Sequence, residues 1–149
     1  MDAIGILPKL ASIFAWAFVS FWTAIPAGLA LGLTPIVVAL TAWLSYSAGA
    51  ALVILVGQPI RDRIAARLGS KATVNPDSTI WRVWERYGLI GLALLAPMTT
   101  GSHIGALLGL SLGAPSRRLL VALSLGAAVW AALITGGVML GVMGAQAVR

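Results

Sequence analysis

The sequence predicts an all-α integral membrane protein: an inverted repeat of two units, each a re-entrant helical hairpin followed by a transmembrane helix. Of its 149 residues, 60% are hydrophobic and 9% are charged, whereas soluble domains contain about 25% charged residues. Three long blocks, 10–60, 87–116 and 119–148, contain no Asp, Glu, Lys or Arg. Basic residues separate the blocks, as expected for segments within a bilayer and connectors at its surface.

We expect a single membrane domain over 1–149, with a first hairpin–helix unit at 10–57, a linker at 58–86 and a second unit at 87–145. A hairpin does not cross the membrane and a helix crosses it once, so two tandem units must be inverted relative to each other. A cleaved signal peptide is not expected, because the apolar run after Lys9 extends well beyond a signal core.

The first block holds more than one element. Thr34–Pro35 predicts a helix start, with Thr34 as N-cap and Pro35 in the first turn. The helix that follows, over about 36–56, is roughly 31 Å long and therefore spans the ~30 Å hydrocarbon core. Residues 10–33 then form either one kinked helix or a hairpin with its tip near Ile25–Pro26–Ala27.

The basic linker predicts a helix on the membrane surface. Ile60, Ile64 and Leu68 recur every four residues opposite basic side chains, a pattern typical of an interfacial amphipathic helix. Asn75–Pro76–Asp77 predicts a turn, after which Asp77 or Ser78 caps the next helix. An aromatic belt then lies at the interface: Trp81, Trp84 and Tyr87. The linker either binds particular lipids or serves as a solvated, anchored connector.

The block 87–116 makes a poor spanning helix because its centre is polar and contains a proline. Its two arms, 88–96 and 104–113, are each about 13–15 Å long as helices, half of the hydrocarbon core. We expect Pro97 to end the first arm, because proline lacks an N–H and clashes with the preceding turn. A re-entrant hairpin also keeps the basic linker and Arg117–Arg118 on one side, as the positive-inside rule favours.

A short internal repeat supports two similar units. Gly28–Leu33, GLALGL, resembles Gly105–Leu110, GALLGL. Each segment is followed within a few residues by a proline that opens a spanning helix, Pro35 or Pro115. We therefore expect the same hairpin–helix order in both halves.

The polar centre of the second hairpin is the predicted substrate or ion site. Its candidates are Pro97, Thr99, Thr100, Gly101, Ser102 and His103, matched in the first hairpin by Thr23 and Pro26. His103 is the one side chain in the three blocks of a type that changes charge near neutral pH. Its role is either proton coupling or a neutral hydrogen bond to a freed carbonyl. The hydroxyls either coordinate a cation or phosphate oxygen, or satisfy exposed backbone groups.

Two further groups of residues have a predicted role. Glycines that recur every four residues predict a smooth helix face for close packing: Gly101, Gly105, Gly109 and Gly113. Charged residues near the second hairpin are candidates for contact with anionic lipid headgroups. They are Arg82, Glu85, Arg86, Arg117 and Arg118. A local ion pair is the simpler interpretation of Glu85 and its neighbouring arginines.

No enzyme activity, metal or cofactor is expected. One histidine, no cysteine and acids only outside the blocks, at the membrane interface, form neither a Ser-His-Asp set nor a metal cage nor a carboxylate pair. The absence of cysteine also excludes disulfides and thiolate metal sites. The net charge of +6 is assigned to topology and headgroups rather than to nucleic acid, since the basic residues lie between membrane blocks.

Three segments carry a family resemblance: FWTAIPAGLALGL at 21–33, RYGLIG at 86–91 and APMTTGSHIG at 96–105. The chain resembles the family of small multidrug export proteins over nearly its whole length, most specifically over 87–115. That family is similar to the DedA (SNARE-associated, VTT-domain) superfamily, whose relatives are linked to lipid-phosphate translocation. The resemblance implies two facing re-entrant hairpins and ion-coupled transport. The acidic and arginine residues of DedA hairpins have no counterpart in this chain's hairpins.

We therefore expect a small multi-pass transporter of the inner (plasma) membrane, with linker 58–86 on the cytoplasmic side. A small solute, an ion or a lipid phosphate would meet the facing hairpin tips, and membrane lipids would be further partners. A homodimer or larger assembly is expected, because two spanning helices are too few to shield two hairpins from lipid. The alternatives are a non-transporting scaffold that organises lipids, and a passive channel.

Overall fold

The structure, a computed structural model, describes residues 3–68, 79–99 and 101–147, and every element in these ranges is helical. The turn predicted at 75–77 lies outside them. The described residues form six helices: α1 (Ala3–Val19), α2 (Phe21–Ala30), α3 (Pro35–Leu68), α4 (Thr79–Thr99), α5 (Gly101–Ser111) and α6 (Ser116–Ala147). The all-α prediction is confirmed for the described residues.

Helices α1 and α2 form the first hairpin. Its tip is Ser20, whose extended backbone (φ −139°, ψ 95°) separates the two helices. Its base is closed by Lys9, whose Nζ donates a 2.9 Å hydrogen bond to the carbonyl of Leu31. The predicted tip at 25–27 is wrong, because Pro26 lies inside α2. Proline removes only one helical bond there, and packing of the buried face of α2 retains the helix.

The second hairpin consists of the apolar end of α4, residues 89–99, and α5. Gly88 has a non-helical backbone (φ 52°, ψ −142°) that separates this arm from the start of α4. The arm continues to Thr99, so the prediction that Pro97 ends it is wrong. Because Pro97 has no N–H, the carbonyl of Ala93 four residues earlier lacks its helical donor. Gly126 of α6 packs directly on that carbonyl, at a distance that leaves no room for a Cβ.

Among the described residues, two helices are long and apolar enough to cross a membrane. They are Pro35–Pro59, with 25 residues, and Ser116–Gly144, with 29 residues. The first is longer than predicted because α3 continues without a break to Leu68. The amphipathic segment predicted after residue 58 is therefore the end of α3 rather than a separate helix. The predicted start of α6 after Pro115 is confirmed.

The turns that join each hairpin to its long helix have the same hydrogen bonds. The amide of Leu33 bonds to the carbonyl of Gly28 at 3.2 Å, and the amide of Ala114 bonds to that of Gly109 at 3.0 Å. Each turn also contains a glycine with positive φ, Gly32 in the first and Gly113 in the second. Leu33 and Ala114 are 81 residues apart, and so are Gly32 and Gly113. The sequence alignment of Gly28 with Gly105 is therefore wrong by four residues, about one helical turn.

The buried residues repeat at the same spacing. Five buried positions of the first unit each have a buried counterpart 81 residues later. The pairs are Phe21 and Ser102, Ile25 and Ala106, Val38 and Leu119, Ala42 and Leu123, and Ala50 and Ala131. The two halves therefore use equivalent helix faces to form one core.

Contacts along α3 locate both hairpins. Near its start, Val38 packs against Gly28 of the first hairpin. Near its middle, Gly49 faces the first turn of α5, at the tip of the second hairpin. Towards its end, Gly57 packs against Leu110, at the base of the second hairpin. The helix rises about 28 Å between positions 38 and 57. The bases of the two hairpins thus lie near opposite ends of α3.

Helix α6 shows the corresponding arrangement. Leu119 near its start packs against Gly109 of the second hairpin. Trp130, further along, contacts Trp22 at the tip of the first hairpin. Each long helix therefore holds its own hairpin near its start and the tip of the other hairpin near its middle.

Candidate functional site

The two hairpin tips meet in a direct hydrogen bond. The indole Nε1 of Trp22, in the first turn of α2, donates to the carbonyl oxygen of Pro97 at 2.8 Å. Pro97 is buried in the last turn of α4, where the final carbonyls of a helix have no helical donor. The bond therefore satisfies a helix end of one hairpin with a side chain of the other.

An aromatic pair extends this junction onto α6. The rings of Trp22 and Trp130 have centroids 5.5 Å apart and are tilted by 49°. The Nε1 of Trp130 donates to the carbonyl of Leu94 at 2.8 Å. Buried or half-buried indoles generally find such a partner for their N–H. Both tryptophans thus hold the last turns of α4 while presenting ring surface to the junction.

His103 lies on the other side of the junction, in the first turn of α5. Its ring centroid is 4.7 Å from that of Phe18, in an edge-to-face geometry with an interplanar angle of 71°. Its Nδ1 is 3.2 Å from the hydroxyl of Ser102, a residue only 3% exposed. A Cβ on Gly49 of α3 would lie 3.4 Å from the Nε2 of His103 and 2.7 Å from the Ser102 hydroxyl. The imidazole therefore fits over a glycine.

Residues on the two sides of the junction are paired by one spacing in the sequence. Trp22 corresponds to His103, and Gly49 corresponds to Trp130, at the spacing of 81 residues found in the turns. Each hairpin thus presents a ring from its tip to the middle of the other unit's long helix. On one side the contact is between two indoles, and on the other it is between an imidazole and a glycine. Of these four residues, only His103 carries an imidazole.

The threonines predicted at the tips bond locally. Thr23 donates its hydroxyl to Ser20 at 2.8 Å and accepts from Trp16 Nε1 at 2.9 Å. Thr99 donates to the carbonyl of Leu95 at 2.9 Å. Thr99 thus bonds a backbone carbonyl, one of the two roles predicted for the hydroxyls, whereas Thr23 bonds two other side chains. Thr100 lies outside the described residues.

Pro26 was predicted to lie at the tip of the first hairpin. It lies instead midway along α2, where it is exposed. The glycines of the second hairpin do not form the single packing face that their spacing predicts. Gly101 and Gly113 have positive φ and mark the two ends of α5. Only Gly105, against Ala96, and Gly109 pack closely. Two of the four glycines therefore adopt a positive φ, and the other two allow close packing.

Residues 21–133 match a family model whose description is "Putative small multi-drug export protein". The chain belongs to this small multi-drug export family. Its two long apolar helices and this membership identify it as a membrane protein of an export family rather than of an enzyme family. No curated protein and no solved structure matches the chain. The relation to the DedA superfamily stays a prediction.

The basic residues of this export-family chain lie away from the junction where the structure describes them. Lys9 is at the base of the first hairpin. Arg117 and Arg118 are exposed at the start of α6, where they line one end of a cavity. The side chains of Arg82, Glu85 and Arg86 lie outside the described part of the chain. Within that part, no group of three His, Cys, Asp or Glu residues could hold a metal ion.

Sequence reasoning missed the aromatic part of the junction. Trp22, Trp130 and Phe18 lie in the middle of uncharged blocks, whereas membrane tryptophans usually lie at the interface. A tryptophan at membrane depth needs a hydrogen-bond partner for its indole N–H. The position of these tryptophans could therefore have predicted a contact with another helix. Gly49 carried no comparable signal, because its role depends on which helix lies opposite.

Proposed function

We propose that this protein exports a small lipophilic solute across the membrane, and that the solute passes through the junction of the two hairpin tips. The observation that carries the proposal is the bond between Trp22 and Pro97. It brings the broken backbones of both hairpins to one place between the long helices. Transporters commonly place substrate sites where interrupted helices of two repeats face each other near the bilayer midplane.

In this proposal the two units form an inverted repeat of re-entrant hairpins. Helix α2 has 10 residues and α5 has 11, about 15–17 Å each and half of the ~30 Å hydrocarbon core. The contacts of α3 with both hairpin bases support entry from opposite faces. The positive-inside rule then puts the linker 58–86 and the Arg117–Arg118 pair on the cytoplasmic side of an inner membrane.

The chemistry of the junction favours a lipophilic or cationic aromatic solute. Trp22, Trp130 and Phe18 offer ring faces, which attract apolar groups and organic cations. The family description, multi-drug export, agrees with such solutes. A lipid phosphate is the weaker candidate, because the basic side chains described in the structure lie at hairpin bases and helix ends.

We propose that His103 couples transport to protons. Ser102 contacts its Nδ1, while Phe18 and Gly49 cover other parts of the ring. None of these three neighbours is titratable. A proton on the imidazole would add a charge beside the aromatic rings, and it would compete there with a cationic solute. Exchange of a proton for a cation follows from that competition.

We also propose that the protein works as a homodimer or larger assembly. Val19, next to the break at Ser20, is 87% exposed, and Ile104, in the first turn of α5, is 53% exposed. Interrupted backbone does not face lipid within the hydrocarbon region, because its polar groups need partners. A second copy that covers these outer sides would satisfy this requirement.

The experiment is solute flux in proteoliposomes. Ethidium and tetraphenylphosphonium serve as probes, an imposed pH gradient drives exchange, and protein-free vesicles give the background. We expect saturable, gradient-dependent flux that falls strongly in the His103→Ala variant. Flux at background level with assembly intact would favour a scaffold, and flux without saturation or proton coupling would favour a channel.

A further inference from the structure

A groove on the outside of the second unit has hydrophobic walls and a positively charged entrance. It is a cavity of about 530 Å³ between the apolar arm of α4 and helix α6. Its walls are hydrophobic and include Ile90, Leu94, Val121 and Val129. Arg117 and Arg118 line one end. The groove is separate from the junction but adjoins it at Trp130. The carbonyl of Leu94 accepts the hydrogen bond of Trp130, and Val129 precedes Trp130 in sequence.

The length of the groove matches one leaflet of a bilayer. From residue 118 to residue 129, helix α6 rises about 17 Å, close to half of the ~30 Å hydrocarbon core. The charged end lies at the first turn of α6, where a spanning helix meets the headgroup region. An acyl chain that enters from that side would therefore contact the groove walls along most of its length.

The charge at the entrance favours an anion. Arg117 and Arg118 are both exposed and line the groove, so two positive charges lie together at its entrance. The N-terminal end of α6 adds the positive end of a helix dipole at the same place. Arginine is well suited to a phosphate because its planar guanidinium donates two parallel hydrogen bonds.

We propose that this groove binds one anionic phospholipid, with its phosphate at Arg117 and Arg118 and one acyl chain between α4 and α6. The lipid fills the space outside Ala93 and Leu94, the residues whose carbonyls contact Gly126 and Trp130. It therefore acts as a bound ligand that supports the second hairpin, and it is distinct from the exported solute.

The test is lipid binding to the full chain. Delipidated protein in detergent is titrated with phosphatidylglycerol or with phosphatidylcholine of equal chain length, and bound lipid is counted by native mass spectrometry. We expect about fivefold or greater preference for phosphatidylglycerol in the unaltered protein. The double variant Arg117→Gln, Arg118→Gln should lose this preference, while Arg63→Gln, an exposed arginine on α3, should keep it.

A second pair of variants tests the groove itself. Ala122→Phe fills it and should reduce binding of both lipids, whereas Ala132→Phe, on an exposed face of α6 outside the groove, should leave binding unchanged. Circular dichroism and size exclusion check that each variant is folded, and the single Arg118→Gln change serves if the double variant fails. Equal binding of the two lipids, or competition by millimolar inorganic phosphate alone, would overturn the proposal. An oligomer that Ala122→Phe dissociates without any lipid effect would instead assign the groove to a second copy.

Discussion

The indole N–H of Trp22 donates a 2.8 Å hydrogen bond to the carbonyl of Pro97, 75 residues later in the sequence, and this bond joins the two hairpins. The donor stands at the start of one short helix and the acceptor at the end of another. Pro97 thus affects the junction twice, since its carbonyl accepts this bond and its missing N–H frees the carbonyl that Gly126 packs against.

Replacing Trp22 by Phe should weaken both the fold and transport. The ring remains but the donor is lost, so we expect a loss of about 1 kcal/mol in the free energy of unfolding. Trp43→Phe is the matched control, because Trp43 Nε1 donates to the carbonyl of Ser124 at 2.9 Å between α3 and α6. We expect similar falls in thermal stability but reduced probe flux only for Trp22→Phe. Equal flux in the two variants would contradict a role for the tip junction.

His103→Gln should remove the dependence of flux on pH while retaining a polar contact with Ser102. Gln cannot take up a proton, so exchange for a cationic probe should lose its proton drive. We expect downhill flux of tetraphenylphosphonium to persist and accumulation against its gradient to disappear. Initial rates at several pH values, with and without a pH gradient, measure this. A pH profile identical to that of the unaltered protein would exclude His103 as the proton carrier.

Gly49→Ala should reduce flux without unfolding the protein. The added Cβ would lie 2.7 Å from the Ser102 hydroxyl and close to the His103 ring, so both must shift. Gly136→Ala on α6 is the control, because a Cβ there meets nothing within 4 Å. That variant should be neutral or more stable by up to about 1 kcal/mol, since alanine favours a helix over glycine. Flux equal to that of the control would show that the imidazole needs no fixed position.

Gly32→Ala and Gly113→Ala should destabilise the protein by similar amounts. Both residues have positive φ, 76° and 84°, in turns with the same hydrogen bonds. A side chain in this conformation costs roughly 1–2 kcal/mol. Gly141→Ala, at a helical position where a Cβ meets nothing within 4 Å, should show no such loss. Melting temperatures in detergent compare the three, and a large difference between the two turn variants would argue against equivalent turns.

The sequence was sufficient for features that depend on local chemistry. Pro35 and Pro115 lie at the starts of the long helices as predicted, because proline is compatible with a first helical turn. The same local rule failed at Pro26 and Pro97, which lie inside helices. At those positions tertiary contacts decide the outcome: the buried face of α2 retains its helix, and Trp22 with Gly126 contact the carbonyls at the end of α4.

The register of the repeat and the composition of the site required the structure. GLALGL resembles GALLGL one turn away from the true correspondence, because Gly, Ala and Leu recur with helical period in both segments. The equivalence of Trp22 and His103 is hidden in the sequence, since the two residue types share no chemistry at that level. It becomes visible only when the turn hydrogen bonds fix the spacing at 81 residues.

Labelling of single cysteines from each side of the membrane tests the central claim that the hairpins enter from opposite faces. The chain has no native cysteine, so Leu31→Cys, Tyr87→Cys and Arg117→Cys, all at exposed positions, each give one reactive site. We predict that a membrane-impermeant maleimide labels positions 87 and 117 from the same side and position 31 from the opposite side. Labelling of 87 and 117 from opposite sides would contradict the re-entrant second hairpin and the account built on it.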